Sequence, residues 1–140
     1  MPWTLLLVAV VVASAQSSHP VAGTWVAEHA GTTFVRLELR ATSGGVEGKI
    51  ALGDIELDAQ GSVKTASPAP KELKPIFDVT LSDSTVAFAL KDEHDVDHFQ
   101  LKRSGSGLEL HFLLNDAHRQ ELASIGIATF KPILLKRVEP

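Results

Sequence analysis

The residues best suited to chemistry lie in one short run, Asp92-Glu93-His94-Asp95-Val96-Asp97-His98. Imidazoles and carboxylates at this density are the donor types that hold a divalent ion such as zinc. His94, Asp97 and His98 are the candidate ligands. Their spacing fits no helix-borne metal motif, and a charged run between two apolar alternations is the ordinary make-up of a solvated hairpin tip. The reading is therefore no metal and no cofactor. Ser104 and Ser106 sit among glycines, but no nucleophile elbow surrounds them. Phosphate-binding loops and dinucleotide fingerprints are missing as well. The chain has no cysteine, which removes thiolate zinc sites, cysteine nucleophiles and disulfides together. His111 is expected on a wet strand face and His118 on a short helix, both as solvated surface. With no constellation of acid, base and nucleophile in view, the chain reads as non-enzymatic.

The charged run separates two strands, and the stretch Thr85 to Leu114 supplies three. Val86, Phe88 and Leu90 alternate with polar or small residues, as do Phe99 and Leu101, and then Leu108, Leu110 and Phe112. A period of two marks strands with one dry face and one wet face. Ser104-Gly105-Ser106-Gly107 is turn chemistry. A loop there sets Arg103 against Leu108, Lys102 against Glu109, Leu101 against Leu110 and Phe99 against Phe112. Opposite charges then meet outside and apolar pairs meet inside. The same reasoning, with Glu93 to Val96 as the loop, puts Leu90 against Phe99 and Phe88 against Leu101.

The chain of 140 residues suggests one domain. Residues 1–15 read as a secretory signal: the apolar run Leu5 to Ala13 is too short to span a bilayer, and Ala13-Ser14-Ala15 is a cleavage sequence. Cleavage between Ala15 and Gln16 would leave a secreted or periplasmic protein. The segment before the apolar run lacks Lys and Arg, so Met1 need not be the true start. Residues 16–22 are expected to be a flexible lead-in, and residues 23–140 the single domain. A net charge of −4 with no basic stripe argues against nucleic acid, and no basic amphipathic helix points to a membrane surface.

From Gly23 onward the chain repeats hairpin signals. Val35, Leu37 and Leu39 alternate with polar residues. Thr42 to Gly45 make a turn, and Val46, Gly48, Ile50 and Leu52 face inward. This register sets Arg40 against Glu47 and Glu38 against Lys49. Gly53-Asp54 fits a two-residue turn that sets Leu52 against Ile55 and Ile50 against Leu57. Ala66 to Pro75, with Pro68, Pro70 and Pro75, is a connector or lid. Phe77, Val79 and Leu81 form the next inward set, pairing Leu81 with Val86 and Val79 with Phe88. Asn115 or Asp116 caps one short helix over 115–124. The tail is β-rich again, and Pro132 makes it an edge strand, a bulged strand or two short pieces.

The fold expectation is all-β: an antiparallel up-and-down meander of roughly eight or nine strands, closed as a barrel so that no long apolar edge is exposed. A two-sheet sandwich is the second choice. Gly23-Thr24-Trp25 on the first strand and Arg137 on the last resemble the calycin group, lipocalins and avidins. The resemblance implies that Trp25 closes one end of the barrel beneath a cation, with Lys136 as the substitute for Arg137. The inward set contains no carboxylate, His or Lys. It either fills the barrel or leaves room for one small apolar ligand. The expected ligand-facing residues are Trp25, Leu37, Ile50, Leu57, Phe77, Phe88, Phe99 and Phe112. The alternative is a filled barrel that presents its loops to a protein partner, as an interaction or inhibitor module.

Overall fold

A computed structural model describes residues 20–82, 85–91, 95–127 and 129–138. The signal segment, the identity of the start residue and His94 lie outside the described residues. The elements run β1 (Gly23–His29), β2 (Thr32–Thr42), β3 (Gly45–Leu52), β4 (Ile55–Leu57), β5 (Val63–Ala66), β6 (Lys74–Pro75), β7 (Phe77–Leu81), β8 (Thr85–Lys91), β9 (Val96–Ser104), β10 (Gly107–Leu113), α1 (Asp116–Ser124) and β11 (Ile133–Arg137).

Nine strands form one antiparallel sheet in the order β6-β3-β2-β1-β11-β10-β9-β8-β7. The two outermost members, β6 and β7, are parts of one segment interrupted only at Ile76. Its start pairs with β3 and its end pairs with β8. The Ile76 amide donates to the Gly48 carbonyl at 3.0 Å, carrying the contact across the break. One kinked strand thus nearly closes the sheet into a barrel, which covers the edges a meander would otherwise expose. The remaining pair, β4 and β5, is a separate hairpin.

Charge and turn chemistry set the local registers. Between β9 and β10, Lys102 faces Glu109, Leu101 faces Leu110 and Phe99 faces Phe112. Between β2 and β3, Arg40 faces Glu47 and Glu38 faces Lys49, and the Arg40 and Glu47 side chains form an ion pair. Gly48 is required there, because a Cβ would overlap the Glu38 carbonyl oxygen on the neighbouring strand. The interior is packed with side chains. Val35, Leu37, Ile50, Phe88, Phe99, Leu101 and Leu110 are each at most 2% exposed. No polar or charged residue is buried among the described residues.

Several expectations need correction. The turn at Gly53-Asp54 does not return β3 on itself. The chain leaves the barrel there, Ile55 pairs with Ala66 in the β4–β5 hairpin, and β3 takes β6 as its neighbour. Phe88 faces Phe99 rather than Leu101, and Leu90 faces Asp97. This slip of two residues keeps the dry face dry, which is why alternation could not detect it. Phe77 is outward and 38% exposed, while Ile76 is buried. A bulge between Phe77 and Thr80, with Asp78 at φ 52°, adds one residue to β7 and reverses the facing of everything before it. The same bulge removes the expected pairing of Val79 with Phe88. Leu81, at the end of β7, is also exposed. β11 is no edge: it lies between β1 and β10, and Pro132 stands just outside it. Within the lead-in, Val21 is buried in the core rather than free in solvent.

Candidate functional site

The hairpin ladders give the barrel two distinct ends. One holds the Thr42–Gly45 and Ser104–Gly107 turns together with the start of β1 and the end of β11. The other holds the end of β8, the start of β9, the β4–β5 hairpin and α1.

The first end is shut. Trp25 lies opposite Arg137 in the β1–β11 ladder, and the Arg137 guanidinium sits 4.3 Å from the indole ring centre. This is cation–π distance. The indole N–H donates to the Val21 carbonyl at 2.9 Å. The guanidinium also donates to the carbonyls of Ala22 and Pro20, the latter at 2.8 Å. These bonds hold Pro20 to Ala22 across the barrel end, where Val21 is buried. Gly23, at φ 134°, passes so close that a Cβ would lie 2.6 Å from the guanidinium. Lys136 has another role, lying 3.5 Å from Glu28.

The other end is open. A cleft of about 500 Å³ lies between the ends of β9 and β10, the β4 strand and α1. Its floor is apolar: Leu57, Phe112, Leu122 and Phe130 contribute, with Ile55, Leu113, Leu114 and Ile125 around them. The floor continues a ladder of rings that begins in the sealed core. Phe88 stacks on Phe99 at 5.3 Å, Phe99 meets Phe112 edge-on at 4.8 Å, and Phe112 stacks on Phe130 at 4.4 Å. Of the expected ligand-facing residues, only Leu57 and Phe112 reach this cleft. Trp25, Leu37, Ile50, Phe88 and Phe99 are packed away from solvent, and Phe77 points outward.

The rim is polar, with Glu56, Asp97, His98, His118 and Glu121. Asp97 keeps the parity of Phe99 and Leu101 on β9. His118 comes from α1, whose N-cap is Asn115; the Asn115 side chain accepts from the His118 amide at 2.8 Å. The helix has no buried residue, but it brings His118 Nε2 to 3.8 Å from an Asp97 carboxylate oxygen. His118 is thus a rim residue rather than plain solvated surface. Its Nδ1 is buried without a hydrogen-bond partner.

Asp95, Asp97 and His118 have donor atoms within 4.8 Å of one another. Two carboxylates and an imidazole are suitable donors for a divalent ion. This trio differs from the one expected: His98 borders the cleft but is not part of it, and His118 is distant in sequence. Asp95 is exposed, and one of its oxygens already accepts from the Val96 amide at 2.8 Å. His111 pairs with Glu109 at 3.0 Å, outside the cleft lining. No Ser, Thr or Cys is among the residues lining the cleft, so the His118–Asp97 pair has no hydroxyl or thiol to activate there.

No family model matches the chain, and no curated protein or solved structure matches it either.

Proposed function

We propose that this chain is an exported, non-enzymatic barrel that binds one small apolar molecule in the cleft at its open end. The observation that carries this reading is the cleft itself, about 500 Å³ over a floor containing the stacked pair Phe112 and Phe130. That volume lies within the range of small-molecule sites, and an apolar floor with a few polar groups at the rim is their usual composition. The packed interior supports a ligand position at the mouth rather than in the lumen. Export is read from residues 1–15, and the calycin resemblance stands as a proposal beside it. The test is displacement of a neutral naphthalene dye, followed on the mature protein and on Leu122→Glu. The native chain should give saturable binding, and the charge placed in the cleft floor should remove it. A native protein that takes up no dye would end this reading. Trp25 emission should stay constant throughout, since that ring lies at the far end.

The filled interior also favours a second reading, in which the barrel presents surfaces to a protein partner. Ile125 and Leu134 are each 67% exposed and would be natural contacts. Crosslinking in the native extract tests it. A chain that remains an uncrosslinked monomer counts against it.

A further inference from the structure

We infer that the molecule held in the open-end cleft is a cationic amphiphile, an alkyl- or arylammonium, rather than a fatty acid or a neutral lipid. This rests on the cleft being the binding site, and it names the ligand class. Three carboxylates from three separate elements border one apolar cavity: Glu56 from β4, Asp97 from β9 and Glu121 from α1. No Lys or Arg lines it, and among the described residues none lies within ion-pair distance of those carboxylates. The basic group that does come within ion-pair distance of Asp97 among the described residues is the His118 imidazole, at 3.8 Å, which is beyond hydrogen-bond reach; Lys74 and Lys91 border a neighbouring hollow that Asp97 also lines. Elsewhere on the surface three carboxylates do have a Lys or Arg partner. Arg40 pairs with Glu47, Arg119 with Asp116 and Lys136 with Glu28. The cleft is therefore a place where three carboxylates gather around an apolar floor with no Lys or Arg among the lining residues.

Such a cavity focuses a negative potential between low-dielectric walls. An ammonium group at the rim would relieve the repulsion among the carboxylates and form charge-assisted hydrogen bonds with them. Its apolar part would lie on Phe112 and Phe130. A carboxylate head in the same position would meet that potential with the opposite sign. A hydroxyl head would gain neither benefit nor penalty from charge.

Calorimetric titration with octylamine, octanol and octanoate, which share a similar tail, separates these cases. The expected order is octylamine, then octanol, then octanoate, with roughly a tenfold step between the first two, the size of one charge-assisted contact. In Asp97→Asn/Glu121→Gln, which leaves Glu56 as the one remaining carboxylate, the ratio of octylamine to octanol affinity should fall severalfold. Thermal unfolding of the double variant would confirm that the fold is intact. Raising the salt concentration should shrink the advantage in the native protein. If octanol binds as tightly as octylamine, or octanoate binds more tightly, the charge inference is overturned and the cleft remains a binding site. If none of the three binds, the proposed function fails with it.

Discussion

The two ends of this barrel treat charge in opposite ways. At the closed end the Arg137 guanidinium is fully engaged: it lies over the Trp25 ring and holds two carbonyls of the lead-in. At the open end Glu56, Asp97 and Glu121 stand around an apolar floor with no Lys or Arg among the lining residues. The first arrangement satisfies its polar groups from within the chain, which makes it a structural closure. The second leaves its carboxylates without a Lys or Arg partner among the described residues. The contrast also assigns the aromatic residues. Trp25 is a plug, whereas Phe112 and Phe130 are the accessible end of a ring ladder that starts in the core.

The largest effect should come from breaking the ladder where it is sealed. Phe99→Ala should cost roughly 3–5 kcal/mol in urea unfolding, as buried aromatic truncations do. Gln100→Ala, one residue along, should change stability by less than about 0.5 kcal/mol. Equal costs would mean that the faces of β9 are misassigned. Next comes the plug. Arg137→Met should lose roughly 1–3 kcal/mol through the cation–π contact and the two carbonyl bonds. Dye affinity at the cleft should not change. A loss of binding on Arg137→Met would mean that the two ends are not independent. Phe130→Ala should reverse that pattern. Its stability cost should be about 1–2 kcal/mol, smaller than at Phe99 because the ring is half-buried, and dye affinity should fall roughly tenfold or more. The smallest change is expected at the surface. Arg40→Ala removes an exposed ion pair and should cost no more than about 1 kcal/mol. A larger loss would mean that this pair, rather than the apolar ladder, holds the β2–β3 register.

The plug was more legible in the sequence than the cleft. Trp25 and Arg137 are a large ring and a fixed charge at the two extremes of a meander, and a ring of strands that closes must bring its first and last members together. The cleft has no comparable signal. Asp97 and His118 are separated by a strand, a turn, a second strand and a helix cap, and they meet because α1 turns back toward the start of β9. Of the run from Asp92 to His98, Asp97 and His98 line the cleft, and His94 lies outside the described residues. Within that run His98 alternates away from Asp97, and the imidazole that approaches Asp97 belongs to a helix whose burial pattern carries no apolar stripe. Phe130 completes the cleft floor from an irregular segment with no periodicity to reveal it.

Taken alone, the sequence determined the in-and-out parity of most strands, the tight-turn registers of β2–β3 and β9–β10, and an all-β meander. These depend on side chains a few residues apart, whose charges and volumes select one pairing locally. Only the tertiary structure decided the reversal of facing at Ile76 and Phe77, the departure of β4 and β5 from the barrel, the slip of two between β8 and β9, and the carboxylate-rimmed cleft. Alternation cannot detect a shift by two residues, and a bulge is selected by the need of one kinked strand to join both edges of the sheet. That need exists only once the ring of strands has formed.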